Sequence, residues 1–213
     1  MNNVYFVSGI DTDIGKSYAT GYLAKKYCTE GISTITQKLV ETGAQAHSAD
    51  IALHRKIMGI PHQEVDTQGL TAPELFSVPT SPHLAAQIDK RAIDFEKIDS
   101  ATVTLSELYD RVLLEGAGGL MVPLTKELLT IDFIAQRAYK MILVTSPRLG
   151  SLNHTLLSLE ALQRRGIELD TLVYNTFNEY KKEVTLDTLN YLTDYLTEHH
   201  PKAKIITMRG ISI

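Results

Sequence analysis

Residues 4–17 read VYFVSGIDTDIGKS, an apolar run of strand length that feeds a glycine-containing loop ending in Gly15, Lys16 and Ser17. A phosphate-binding loop needs backbone N–H groups aimed at phosphate oxygens, a lysine for the outer phosphates and a hydroxyl for Mg²⁺. These three residues supply those groups. The sequence that follows predicts a helix to Tyr27, whose N-terminal end would face the same anion.

The spacing of this loop departs from the usual pattern, because Gly9 and Gly15 are separated by five residues, one more than the pattern has. A tight strand-to-helix turn, with Lys16 as a solvated first-turn residue, is the plain alternative. The order of apolar strand, Gly-Lys-Ser and helix favours a phosphate-binding loop.

The composition is that of a globular protein, with 213 residues, 44% of them apolar and 22% charged. We expect a single domain over residues 1–213. A net charge of -4 gives no broad basic field, so no nucleic-acid partner is expected. The lone Cys28 allows no internal disulfide, and the sequence shows neither a signal-peptide pattern nor a membrane-spanning run. We therefore expect a cytoplasmic protein with no membrane partner.

Further apolar runs, rich in β-branched residues, predict strands at residues 32–40, 111–115, 141–145, 171–175 and 204–207. Helical patterns separate the last three runs, at residues 152–165 and 182–199. Strands that alternate with helices and are nearly continuous in apolar residues indicate an α/β fold, a mostly parallel sheet with helices on both faces. Together with the loop, this predicts a P-loop NTPase fold.

Several polar residues stand where such a fold places its ligands. Lys38 and Thr42 follow the second strand and would lie beside the phosphate loop if that strand neighbours the first, although Lys38 alone is more simply a surface lysine. Asp50 precedes a helical pattern and is either its N-cap or a carboxylate near Mg²⁺. Glu115 ends an apolar strand, where it could hold Mg²⁺ or its water opposite Ser17. The glycines after it suit close approach to a ligand or a bare turn equally well.

Two other segments have sequences that suit the border of a ligand-binding site. Residues 148–154, RLGSLNH, start a helix with small and polar residues, which suits a carboxylate or phosphate; a solvent-facing cap by Ser151 or Asn153 explains them as well. Residues 59–80 are irregular, contain proline and glycine, and are too long for a simple connector. We expect them to cover a site.

The order of these motifs resembles the dethiobiotin synthetase family. The motifs that carry the resemblance are GIDTDIGKS, Lys38 with ETG behind it, Asp50, PTSPH at 79–83, LLEGAGG at 113–119, RLGSLNH and Asn175. The resemblance covers nearly the whole chain, and the wider loop spacing is the form that this family uses.

The resemblance implies a reaction in biotin biosynthesis. In that reaction 7,8-diaminononanoate, CO₂ (from bicarbonate) and ATP give dethiobiotin, ADP and phosphate, through a carbamate and a carbamic–phosphoric mixed anhydride. The family implies a ligase that takes ATP as co-substrate and Mg²⁺ as cofactor. It also implies a homodimer that binds the diamine substrate across its interface.

The resemblance also assigns roles to residues. Lys16 and Lys38 would be the catalytic lysines, and Ser17, Asp50 and Glu115 would surround Mg²⁺. The nucleotide would be contacted by Asp13, Ile14, Gly15, Lys16, Ser17, Tyr18, Asp50, Glu115, Gly116, Ala117, Gly118 and Asn175. The substrate would be contacted by Thr12 and Thr42 and, from the helix start of the other subunit, by Gly150, Ser151, Leu152 and Asn153.

The sequence departs from the family pattern at three places. Leu39 follows Lys38 where many relatives have proline, and Arg148 stands where lysine can occur. Asn175 matches the residue that reads the nucleotide base, but the usual base-closing loop and final helix do not follow it. We expect weaker or less selective base recognition than is normal for the family.

Two other classes share parts of this pattern. A switch ATPase of the partition or septum-placement type has the same loop and sheet, but carries a lysine five positions before the Gly-Lys-Ser/Thr lysine, where this chain has Asp11. The sequence also lacks a basic patch and an amphipathic membrane tail. A ligase of the cobyrinate-diamide synthase type needs a glutamine-hydrolysing domain with a cysteine nucleophile, and Cys28 lies in the first predicted helix.

Overall fold

The computed structural model describes residues 3–44, 46–177 and 181–210. The strands in these ranges are β1 (Val4–Gly9), β2 (Thr34–Lys38), β3 (Glu41–Thr42), β4 (Leu75–Phe76), β5 (Arg111–Gly119), β6 (Lys140–Thr145), β7 (Leu169–Asn175) and β8 (Lys204–Met208). The helices are α1 (Lys16–Thr29), α2 (Ala49–Met58), α3 (Glu64–Thr67), α4 (Pro82–Ile88), α5 (Phe95–Leu108), α6 (Thr130–Gln136), α7 (Ser151–Arg164) and α8 (Lys182–His199). Within these ranges we find no helix with both the length and the apolar character needed to cross a membrane.

Six of the strands form one parallel sheet in the order β2-β5-β1-β6-β7-β8. The strand order reverses at β1, since the chain runs from β1 to one edge of the sheet and later returns to β1's other side. In such sheets ligands bind beyond the carboxyl ends of the strands at the point of reversal. That point is the end of β1, where the Gly-Lys-Ser loop begins.

The strands are apolar along their length because both faces of the sheet are covered. Alternate residues of one strand point to opposite faces: Leu113 packs in the cluster that contains α1 and α2 residues, whereas Leu114 packs with residues of α5 to α8. The same alternation places Val7 and Phe6 on opposite faces. The predicted mostly parallel sheet with helices on both faces is confirmed.

Three features differ from the expectation. Strand β2 does not neighbour β1, because β5 lies between them and pairs with both. Strand β5 continues through the glycines to Gly119, and Gly116 in it packs closely on a ring, since a Cβ there would lie 2.8 Å from Phe6 Cε1. The predicted irregular run also holds short elements, among them β4, which pairs with β3 in a second parallel sheet.

Candidate active site

The segment between β1 and α1 ends at Gly15 and leads directly into the first turn of the helix. Gly15 is the N-cap of α1, with a left-handed φ of 86°. Lys16 is buried, and its Nζ donates a hydrogen bond to the carbonyl oxygen of Asp11 at 3.0 Å. The hydrogen bond folds the Lys16 side chain back over the loop, as expected of the lysine in a phosphate-binding loop.

A cavity of about 840 Å³ opens at the carboxyl ends of β1, β2 and β5. Most of the predicted site residues line it: Thr12, Asp13, Gly15, Lys16, Ser17, Tyr18, Lys38, Thr42, Asp50, Glu115, Ala117 and Gly118. Residues 79–82, at the entry to α4, line it as well, so the end of the irregular segment does border this cavity. The volume lies in the range of cavities that hold small molecules and cofactors.

Four polar side chains meet at the inner wall of the cavity. Lys38 and Glu115 are direct neighbours in register on β2 and β5, and Lys38 Nζ lies 2.8 Å from Glu115 Oε1. Lys38 Nζ also forms an ion pair with Asp50 Oδ2. Ser17 Oγ lies 2.8 Å from Asp50 Oδ1 and 2.8 Å from Glu115 Oε1. The interpretation of Lys38 as an ordinary surface lysine is therefore wrong.

Burial and charge act in opposite directions on the ionisable groups of this cluster. Burial by itself would lower the pKa of Lys38, but the charges of Glu115 and Asp50 outweigh it and raise that pKa. Burial by itself would raise the pKa of Glu115, yet the nearby Lys38 and His54 hold it well below its usual value. Burial lowers the pKa of Lys16, with Glu115 opposing and Lys38 adding to the shift. Glu115 therefore stays ionised, and Lys38 stays a cation.

The oxygens of Ser17, Asp50 and Glu115 fit a magnesium ion. Mg²⁺ prefers hard oxygen ligands, and in nucleotide sites it takes one or two carboxylates beside substrate phosphates. Two of them, Asp50 and Glu115, already contact a cation, the Lys38 ammonium group, and the hydroxyl of Ser17 contacts both carboxylates. In the described part of the chain, no group of three or more His, Cys, Asp or Glu side chains forms a metal cage. The donor set suits a metal that arrives with its nucleotide.

The alternative interpretation of Asp50 as a helix cap is wrong. Ser48 is the N-cap of α2, and its Oγ accepts a hydrogen bond from Ile51 N at 2.9 Å. Glu41 supports this end of the helix by accepting from Ala49 N at 2.8 Å. Asp50 is thus left free to face Ser17 and Lys38.

Asn175, Ile14 and Gly116 lie beside the cavity without lining it. Asn175 ends β7, and its Nδ2 donates to the carbonyl oxygen of Ile14 at 3.0 Å. Its Oδ1 accepts from Phe177 N at 3.0 Å, and the Phe177 ring stacks on Tyr18 with centroids 6.2 Å apart. Residues 211–213, part of the tail discussed for base recognition, lie outside the described residues.

The structure does not bring residues 150–153 to the cavity of their own chain. Gly150 is the N-cap of α7 with a left-handed φ of 90°, and no described side chain caps this end, so the alternative of a cap by Ser151 or Asn153 is wrong. Ser151 is buried and lies 3.2 Å from Ser146 through their Oγ atoms. Arg148, just before this helix, forms an exposed ion pair with Asp11 of the phosphate loop.

Sequence reasoning missed the part that two polar residues, Glu41 and His54, play beside this cluster. Glu41 was visible only as part of the ETG motif. His54 is fully buried, and its Nε2 lies 2.9 Å from Glu115 Oε2. Its position one helical turn after Asp50 was the signal that could have placed it on the same face of α2.

A parallel sheet with a Gly-Lys-Ser loop between its first strand and helix defines a P-loop NTPase. In agreement with this, residues 3–202 match the family model described as an AAA domain. The chain is 46% identical over 213 residues to the ATP-dependent dethiobiotin synthetase BioD 2 of Pasteurella multocida, covering 100% of both chains. It is 53% identical over 180 residues to BioD 2 of Haemophilus influenzae, covering 84% of this chain and 94% of that one. The chain belongs to the dethiobiotin synthetase family.

Solved structures that resemble the fold come from other P-loop proteins. A ParA family ATPase from Chlorobium tepidum superposes with a TM-score of 0.55 at 15% identity, covering 98% of this chain and 85% of that one. The signal recognition particle receptor FtsY from Elizabethkingia anophelis gives 0.50 at 14% identity, and this chain spans 60% of its length. At these identities the likeness shows the fold alone.

Proposed function

We propose that this chain is an ATP-dependent dethiobiotin synthetase. It carboxylates 7,8-diaminononanoate with CO₂ and closes the ureido ring to give dethiobiotin, ADP and phosphate. The main support is the identity of 46% over the full length to a relative with that name. The cluster of Lys16, Ser17, Lys38, Asp50 and Glu115 around one cavity supplies the groups that the reaction needs.

The reaction proceeds in three steps. One amine of the substrate attacks CO₂ and loses a proton, which gives a carbamate. A carbamate oxygen attacks the γ-phosphorus of ATP, and ADP leaves. The second amine then attacks the carbonyl carbon of the mixed anhydride, so that the ring closes, phosphate leaves and a second proton is released.

The protein's main task in this chemistry is to bring anions together. Lys16 and the backbone N–H groups of residues 13–18 bind the nucleotide phosphates, and Lys38 lies where carbamate and γ-phosphate would meet. Preorganised cations in a partly dry site stabilise the charge that builds up during phosphoryl transfer. Burial of both lysines supports this assignment.

Ser17, Asp50 and Glu115 would hold Mg²⁺. When bound, the ion supplies positive charge to the phosphate oxygens and fixes their orientation. The carboxylate of Glu115 remains ionised for this purpose, because the charge of Lys38 offsets its burial.

We propose that the substrate lies between two subunits. Thr12 and Thr42 line the cavity and would contact the carbamate end. The start of α7, residues 150–153, would bind the substrate carboxylate from the other subunit, since the first N–H groups of a helix have no partner within it. Its position away from its own chain's cavity supports a homodimer. Asn175 would read the base, and the need for the nucleotide pool supports a cytoplasmic enzyme.

The proposal is tested with purified protein, Mg²⁺-ATP and bicarbonate, with and without 7,8-diaminononanoate. We expect phosphate release that requires the diamine and matches dethiobiotin one for one by mass spectrometry. Lys16→Ala and Lys38→Ala should abolish it, whereas Lys56→Ala, an exposed lysine of α2, should not. ATP hydrolysis at the same rate with and without the diamine, with no dethiobiotin formed, would refute the proposal and favour a P-loop switch ATPase.

A further inference from the structure

The two oxygens of the Glu115 carboxylate have different partners. Oε1 faces the cavity side, where it lies 2.8 Å from Lys38 Nζ and 2.8 Å from Ser17 Oγ. Oε2 points away from them and accepts a hydrogen bond from His54 Nε2 at 2.9 Å. The side chains of both Glu115 and His54 are 0% exposed. The carboxylate is therefore held from behind by a group that does not line the cavity.

Helix α2 delivers this histidine together with a second site residue. Asp50 and His54 are one turn apart and so lie on the same face of the helix. Asp50 contacts Ser17 and Lys38, while His54 contacts Glu115 of the same cluster through Oε2. The helix is closely packed at this level, since a Cβ on Gly21 of α1 would lie 3.3 Å from the Cα of His54. His54 is thus fixed against both α1 and β5.

The hydrogen bond between His54 and Glu115 fixes the orientation of the carboxylate, which packing alone would not do. A carboxylate can rotate about its terminal bond, and a donor on one oxygen fixes the direction of the other. Within the ranges that the structure describes, His54 Nδ1 has no hydrogen-bond partner, so Glu115 is the polar group that orients the ring. If the residue only filled space, a leucine would serve as well.

We propose that His54 is a positioning residue that aims Glu115 Oε1 at Ser17, Lys38 and the metal–nucleotide complex. The inference rests on the proposed role of Glu115 as a Mg²⁺ ligand. Removing a group that orients a metal ligand lowers metal affinity or activity by about 10–100-fold. His54 itself touches neither nucleotide nor substrate in this arrangement.

The test is calorimetric binding of ADP at increasing Mg²⁺ concentration, which needs no diamine and no turnover. We expect His54→Leu to raise the Mg²⁺ concentration for half-maximal tightening by about 10–100-fold. His54→Gln, whose amide nitrogen can occupy the place of Nε2, should restore most of this loss. Ile98→Val, a core change in α5, controls for general destabilisation, and binding is measured where thermal unfolding shows all variants folded.

Unchanged Mg²⁺ dependence in His54→Leu would overturn the proposal, and so would a Gln variant no better than Leu. If the Leu variant does not fold, His54→Asn replaces it, since its amide is one methylene shorter and falls short of Glu115. Glu115→Gln is measured in parallel: if it too leaves the Mg²⁺ dependence unchanged, the metal-ligand premise fails and the inference fails with it. Failure of the function itself appears separately, as absence of dethiobiotin.

Discussion

Gly15 and Gly31 offer a matched test of how tightly the phosphate loop is packed. Both have left-handed backbones, with φ of 86° and 85°. A Cβ on Gly15 would lie 2.3 Å from Asn175 Nδ2, whereas a Cβ on Gly31 would have no atom of the described residues within 4 Å. The two alanine variants therefore share the backbone strain, and the variant at Gly15 alone also has a steric clash.

The expected sizes follow from these distances. A left-handed alanine costs about 1–2 kcal/mol, and roughly 0.4–1 kcal/mol is recovered because alanine restricts the unfolded chain. Gly31→Ala should therefore cost about 0–1.5 kcal/mol. Gly15→Ala adds the overpacking against Asn175, about 1–3 kcal/mol. Gly15→Ala should thus lower the free energy of unfolding by about 1–3 kcal/mol more than Gly31→Ala does.

The assay is urea unfolding of both glycine variants, of Asn175→Ala and of the double variant Gly15→Ala/Asn175→Ala. Because the alanine at position 175 removes the clashing amide, the double variant should be more stable than the sum of the singles predicts, by about 1–2 kcal/mol of coupling. If Gly15→Ala costs no more than Gly31→Ala, or if the coupling is zero, the close contact between Asn175 and the loop does not exist in solution.

Two further predictions concern buried polar groups outside the cavity. Burial raises the pKa of Tyr139 from 10.0 to about 12, with the charge of Asp99 adding to the shift and that of Arg137 opposing it. The tyrosine therefore ionises at lower pH in the unfolded chain than in the folded one. As pH rises from 10 to 12, the folded protein loses about 2–3 kcal/mol of stability. Tyr139→Phe should remove this alkaline loss without destabilising the protein at pH 8, because the hydroxyl has no partner among the described residues. Arg55, 2% exposed, binds both carboxylate oxygens of Asp66, and Arg55→Met should destabilise by about 3–5 kcal/mol by leaving that carboxylate buried without its cation.

Each of these is checked by urea unfolding. For Tyr139→Phe, curves at pH 8 and pH 11 are compared with wild type, and an equal loss in both proteins at pH 11 would contradict the assignment to Tyr139. For Arg55→Met the control is Arg164→Met, whose partner Glu160 is exposed and whose removal should change stability by less than about 1 kcal/mol. Equal effects of the two substitutions would refute the importance of burial.

Local patterns in the sequence were sufficient for the phosphate loop and most strands. Strand β8, predicted at residues 204–207, is Lys204–Met208, and helix α8 has the predicted bounds Lys182–His199. Such elements show their own period of apolar residues and so need no information from distant parts of the chain. Strand β4 and helix α3, with two and four residues, are too short to show a period.

Contacts between distant residues were beyond the sequence. The insertion of β5 between β1 and β2 joins residues far apart in the chain, so the condition attached to Lys38, that β2 neighbours β1, is not met. Lys38 reaches the cavity all the same, because its strand neighbour is Glu115. The helical period could place His54 on the face of α2 that carries Asp50, but its contact with Glu115 spans 61 positions and depends on tertiary packing.

Asp11 separates this chain from the switch ATPases by sequence, and the structure gives that difference a physical basis. Its carbonyl oxygen holds the Lys16 ammonium group, and its carboxylate pairs with Arg148 just before α7. A lysine at position 11 would place a cation against Arg148 in place of an anion. An exposed pair of this kind is worth at most about 1 kcal/mol. The planar Arg148 side chain ties the phosphate loop to the helix start proposed to bind the substrate carboxylate.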